Sequence, residues 1–211
     1  LATRSGVVYS SNGKATIGLP AGSYRLYAGR GFEYSVDSVN LTIKPGERAR
    51  VKLTIQAEVP TAGWVSSDTH VHTFTHSGHG DATVAERAVT LAGEGIELPI
   101  ITDHNKRIDI SQEVKQLGLH KYFTPVMGSE VTTPVGHFNI FPVAPDAPVP
   151  NHRAKDWNAL ALTIGPPTAL NAIILNHARD EHAGFRPFDP AHHLAPAGRT
   201  LTGWTFPART T

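Results

Sequence analysis

The sequence predicts an α/β protein with a small all-β sandwich at its N-terminus. Three observations lead there. Residues 1–56 alternate apolar and polar side chains with a period of two. The rhythm changes after a Pro- and Gly-containing stretch at residues 57–63. Beyond it, histidines stand at the ends of short apolar runs. The expected division is a sandwich over residues 1–58 and an α/β domain over residues 59–211.

In the first part, Ala49, Val51, Leu53 and Ile55 alternate with Arg48, Arg50, Lys52 and Thr54. Val39, Leu41 and Ile43 repeat the pattern against Ser38, Asn40, Thr42 and Lys44. Such alternation suits a strand with one buried and one wet face. Pro45-Gly46 is the turn between the two runs. Turn residues around Leu19-Pro20-Ala21-Gly22 and Gly29-Arg30-Gly31 bracket two further short strands.

In the second part, residues 81–95 predict a helix, with Asp81 or Thr83 as N-cap and Glu86 completing a capping box from Thr83. Residues 98–102 form a short apolar run, as a buried parallel strand requires, and deliver Asp103 and His104 at its end. Residues 126–131, 138–143 and 172–175 read as strands, and residues 157–164 as a helix.

A hydrophobic content of 40% and a charged content of 18% fit a folded chain. The net charge of +1, with no basic run, argues against nucleic acid as a partner. No apolar stretch reaches the length of a membrane span. With no Cys, there is no disulfide, no thiolate metal site and no Cys nucleophile. No Gly-x-Ser-x-Gly elbow offers a Ser nucleophile.

The strongest local signal is Asp68-Thr69-His70-Val71-His72. Residues two apart on a strand share a face, so Asp68, His70 and His72 point the same way. Twelve His in 211 residues give about 0.7 His-x-His pairs by chance, so the pair needs company. His79, His104, Glu130, His137 and His177 supply it, and His104 and His177, like His70 and His72, stand at or just past strand ends. In α/β barrels, chemistry gathers at the carboxyl ends of strands. His70, His72, His79, His104, Glu130, His137 and His177 are therefore the expected metal ligands. Asp68 is either a partner orienting an imidazole or a plain strand-start carboxylate. Asp103 cannot share a face with His104 in regular β geometry, so it is expected to orient a neighbour or serve structure. Arg179 is placed either to hold a phosphate or carboxylate of the substrate or to pair with Asp180 or Glu181. In the loop around His79, His76 is the weaker ligand candidate. His120, His152, His182, His192 and His193 lack a strand-end context and are expected at the surface.

With these residues assembled, the second part resembles the polymerase and histidinol phosphatase (PHP) superfamily of metallohydrolases, and within it the carbaryl-hydrolase-like branch. The motifs that carry the resemblance are Asp68-Thr-His70-Val-His72, Ser77-Gly-His79-Gly-Asp81, Thr102-Asp103-His104-Asn105, Gly128-Ser-Glu130-Val-Thr-Thr, Gly136-His137-Phe-Asn and Asn176-His177-Ala-Arg179. Together they cover roughly residues 64–182. The first part resembles, more loosely, a carboxypeptidase regulatory-like sandwich, with its first strand or two expected to be missing. The PHP resemblance implies a distorted barrel of seven strands and helices, two or three bound metals, and Glu130 as a bridging ligand. It also implies a late Asp-x-His pair from a further strand; the one such spacing after His177, Asp180-Glu181-His182, follows His177 too closely to come from another strand, so a C-terminally truncated barrel is expected. The rival amidohydrolase barrel also opens on His-x-His, but it would need a bridging Lys at a middle strand end, where Glu130 stands instead.

The expected function is metal-dependent hydrolysis of a small-molecule phosphoester, ester, amide or carbamate. The alternative is a non-catalytic binding or scaffold protein with a degenerate site. His-rich ligation suits two or three divalent cations, zinc or manganese first and iron after them. Sandwich modules of this kind accompany exported proteins, which favours a periplasmic or secreted location.

Overall fold

A computed structural model of the chain describes residues 1–164, 172–178 and 183–192. The chain divides into two compact units. One comprises Leu1–Ser67, Val84–Leu98 and Ser111–Thr124. The other comprises Asp68–Thr83, Pro99–Ile110 and the residues from Pro125 onward.

The first unit holds two antiparallel hairpins. Strands β1 (Ala2–Arg4) and β2 (Val7–Tyr9) pair with Ala2 opposite Tyr9. Strands β3 (Gly22–Ala28) and β4 (Asp37–Ile43) pair along their full length, from Gly22 opposite Ile43 to Ala28 opposite Asp37. The strand expected over residues 48–55 does not form. Leu53 and Ile55 are half-buried, but Ala49 and Val51 are exposed. In place of a ladder, Thr54 N–H donates to Asp37 Oδ2 (2.8 Å) and Gln56 N–H to Ser35 Oγ (2.9 Å). The alternation is present in the sequence, but side-chain acceptors take the donors that a partner strand would have used. Helix α2 (Val84–Gly93) begins immediately after Thr83, one of the two residues expected to cap it. It buries Val84, Ala88, Val89, Leu91 and Ala92 and packs on β1, β2 and helix α3 (Ser111–Gln116). Arg30 closes the end of α2 by donating to the Ala92 carbonyl (3.0 Å), with its guanidinium over the rings of Tyr34 and Tyr122.

The second unit is organised by two sheets. In the first, strands run in the order β5 (Ser67–Val71), β6 (Leu98–Ile101), β7 (Val126–Met127). β6 and β7 are parallel, with Ile100 opposite Val126. The second sheet is antiparallel, in the order β10 (Ala172–Leu175), β9 (Gly136–Phe141), β8 (Ser129–Thr133). Gly128 joins β7 to β8, so the chain passes from one sheet to the other at a single residue. A Cβ there would meet Ile100 Cγ2 and the Ile140 carbonyl oxygen, each at 2.9 Å. Only glycine fits so close a crossing.

The two faces of the antiparallel sheet divide by period two. Val131, Phe138, Ile140 and Leu175 point into a core with Val135, Ala154, Trp157, Leu160 and Phe185. Trp157 belongs to helix α4 (Trp157–Ile164), and its indole N–H donates to the Val135 carbonyl (2.8 Å). Glu130, Thr132, His137 and Asn139 take the other face, paired as Glu130 with Asn139 and Thr132 with His137. Among the described residues no barrel closes, and no helix is long and apolar enough to cross a membrane.

Candidate metal centre

The centre is built from strand ends of the second unit. β5 delivers His70 and, one residue past its end, His72. Asp68 Oδ1 accepts the backbone N–H of His70 (2.9 Å), so this carboxylate fixes the strand backbone and not an imidazole ring. β6 leads to His104, which forms a parallel bridge with Glu130. Asn105 secures that bridge. Its N–H donates to the Glu130 carbonyl (2.9 Å), and its Oδ1 accepts Thr132 N–H (2.9 Å). The clasp needs Asn105 at φ 52, a left-handed conformation that asparagine tolerates.

β10 leads to Asn176 and His177. Strand alternation would turn His177 toward the core side. Its φ of +27 breaks the alternation, and Nε2 comes within 3.2 Å of Glu130 Oε1. An uncommon backbone conformation that aims a side chain into a polar cluster is a recognised mark of a functional site.

Glu130 is fully buried, and five imidazoles surround its carboxylate. His72 Nε2 (2.9 Å), His104 Nδ1 (3.1 Å) and His70 Nε2 (3.2 Å) face Oε2. His137 Nδ1 (3.1 Å) and His177 Nε2 (3.2 Å) face Oε1. Asn176 Nδ2 donates to Oε1 (3.2 Å) and to Asn139 Oδ1 (2.7 Å), and Asn139 Nδ2 donates to the Thr69 carbonyl (2.7 Å). Both amides are buried, and the chain of donors fixes their orientation. Burial pushes the Glu130 carboxyl up. The hydrogen bonds from His137, His177 and His70 outweigh it and hold the group far below the usual carboxylate range. Burial drives the His104 imidazole down to about 4 against the attraction of Glu130, with His72, His79 and His137 adding to the drop.

The donor set fits a cation. Ligands about 2.0–2.1 Å from one zinc-like ion, at angles between about 90° and 110°, stand about 2.9–3.4 Å apart. The five nitrogen–oxygen separations fall in that range. The ligand atoms fall into two groups, each within 4.8 Å: His70, Glu130 and His177, and His72, His104 and Glu130. Buried Glu130 belongs to both. The coarse expectation of a His/Glu group able to hold metal is therefore met.

The remaining expected residues lie as follows. His79 is exposed and stands outside both groups. Its Nε2 lies 2.6 Å from His104 Nε2. His76 contributes its backbone, where the carbonyl accepts from Lys106 Nζ (2.5 Å). Asp103 is fully buried and accepts from Thr73 N–H (2.8 Å) and Ser77 Oγ (2.6 Å). Arg179 and His182 fall outside the described residues, as does His193. His192, expected at the surface, is buried. Its Nδ1 accepts Arg186 N–H (2.6 Å) and its ring stacks on Phe185, so it belongs to the core. Sequence reasoning assigned no role to Thr73, Ser77, Asn105, Thr132, Asn139 or Asn176. For Asn139 a signal existed, since it lies two residues past His137 on one strand face. Comparison of the chain with protein-family models, with curated proteins and with solved structures finds no match.

Proposed function

We propose that the chain is a metal-dependent hydrolase whose centre holds two divalent cations, zinc or manganese, bridged by Glu130. The observation that carries the reading is one fully buried carboxylate met by five imidazole nitrogens at 2.9–3.2 Å. A bound divalent cation supplies Lewis acidity and lowers the pKa of water to about 7. The chain's own residues do the rest. Glu130 neutralises positive charge from the floor of the site, where burial strengthens its field. His70, His72, His104, His137 and His177 present their nitrogens around it. His70, His177 and His104 keep 31%, 27% and 25% of their side-chain surface exposed, while Glu130 keeps none. Substrate therefore approaches from the rim formed by those three rings.

The ordered motifs that resemble the PHP superfamily support the same reading, and so does the parallel pairing of β6 with β7. The substrate is a phosphoester or an ester, amide or carbamate. The test is elemental analysis of the purified chain, followed by turnover of p-nitrophenyl phosphate and of an aryl ester. Bound metal with turnover that His70→Ala abolishes supports the proposal. A chain that stays metal-free after incubation with zinc and manganese, and turns over neither ester, supports the binding or scaffold alternative.

A further inference from the structure

Behind His72 lies a buried polar chain that the hydrolase reading does not use. Residues 73–77 make one helical turn, α1 (Phe74–Ser77), capped by Thr73 and closed by Gly78 in the left-handed conformation. That turn places Ser77 Oγ at the meeting point of three groups. It lies 2.6 Å from Asp103 Oδ1, 3.2 Å from His72 Nδ1 and 3.3 Å from His104 N.

The hydrogens of this chain can be assigned. Asp103 Oδ1 accepts the backbone N–H of Thr73 at 2.8 Å, and the Thr73 hydroxyl stands 3.1 Å from both carboxyl oxygens. An oxygen already accepting an amide N–H takes the Ser77 hydroxyl as a second donor. The 2.6 Å separation is that of a charge-assisted O–H to carboxylate bond. Ser77 has a single hydrogen, and it is committed to Asp103. Toward His72 and His104, Ser77 Oγ can only accept. His104 offers its backbone N–H, which is always a donor. His72 Nδ1 must therefore carry the proton. A neutral His72 then presents Nε2 as a lone pair, and Nε2 is the atom 2.9 Å from Glu130 Oε2.

We infer that Ser77 is a positioning residue: held by Asp103, it locks His72 in the tautomer that turns a lone-pair nitrogen toward the Glu130 centre. Its consequence for metal affinity rests on the hydrolase reading, but the tautomer itself does not. Loss of such a partner behind a ligating imidazole costs about 10–100-fold in metal affinity. Without the Ser77 oxygen, the His72 proton is drawn to Nε2, where Glu130 Oε2 accepts it and where a cation would have to displace it.

The experiment is nitrogen and carbon NMR of labelled histidine in the chelator-treated chain at about pH 8, above the ordinary histidine range. The ring shifts report which nitrogen is protonated. The expected result is a proton on His72 Nδ1 in the wild type, its transfer to Nε2 in Ser77→Ala, and its return in Ser77→Thr. Zinc titration of the same samples should show about 10–100-fold weaker binding for Ser77→Ala and recovery in Ser77→Thr. A wild-type His72 with a proton on Nε2, alone or beside one on Nδ1, overturns the inference. So does a Ser77→Ala chain with an unchanged tautomer. If Ser77→Ala does not fold, the wild-type spectrum decides. A correct tautomer in a chain that binds no metal would sink the hydrolase reading and leave this one standing.

Discussion

Replacing Asn176 probes the electrostatics around Glu130 in a way that can be worked out from distances. Its Nδ2 lies 3.2 Å from Glu130 Oε1 and 2.7 Å from Asn139 Oδ1, among buried residues. Asn176→Asp keeps the shape but turns both donor–acceptor contacts into acceptor–acceptor contacts. Two unit negative charges at about 3.2 Å repel by about 5 kcal/mol at an effective dielectric constant of about 20. Protonation caps that cost, because holding a carboxyl of ordinary pKa about 3.9 neutral at pH 7 takes about 4 kcal/mol. The metal-free variant should therefore be about 4 kcal/mol less stable at pH 7. The pH dependence has a definite sign. The introduced carboxyl has a raised pKa in the fold, so above about pH 4 the folded state holds a proton that the unfolded state has released. The variant's deficit thus grows by about 1.4 kcal/mol per unit as pH rises from about 4 toward 7. Urea unfolding in chelator at several pH values measures this. The same variant in excess zinc should recover much of the loss, because a dication neutralises the added charge. A variant within about 0.5 kcal/mol of wild type at pH 7 would refute the pairing of Asn176 with an ionised Glu130.

Two further predictions concern His104 and Gly128. The unfolded chain protonates His104 near 6.5 and the folded chain only near 4, so folding favours the neutral ring. Its contribution is intact above about pH 6.5 and is lost as pH falls toward 4, amounting to at most about 3 kcal/mol. Urea unfolding of wild type and His104→Gln should show profiles that converge in that window, and parallel profiles would contradict it. Gly128→Ala forces a methyl against Ile100 Cγ2 and the Ile140 carbonyl at 2.9 Å. It should destabilise the chain by about 1–3 kcal/mol, read by urea midpoint, and an unchanged midpoint would mean that the crossing has room.

What the sequence revealed of the site followed from strand alternation. His70 and His72 were placed on one face because they are two residues apart, and the short apolar runs before His104 and His177 read correctly as strands. Glu130 stood out as a carboxylate near the end of the run expected as a strand at residues 126–131. The buried polar groups behind these residues were not legible. Ser77 reaches His72 through one helical turn, and Asn139 meets Asn176 across a strand pair, and neither contact leaves a period in the sequence. His177 enters the centre through a backbone angle that breaks the alternation used to read it. In the first unit, the clean alternation over residues 48–55 indicated a strand. A period describes faces, however, and does not supply a neighbour to bond with. His192 misled in the opposite sense, since nothing in its local sequence shows that Phe185 will cover it.

The central claim is that Glu130 gathers two cations between its imidazoles. Anomalous diffraction from crystals grown with zinc tests it most directly. The account predicts two peaks about 3.5–4 Å apart, one beside His70 and His177, the other beside His72 and His104, with the Glu130 carboxylate between them. No peak within bonding reach of Glu130, or peaks that persist unchanged in Glu130→Gln, would contradict it.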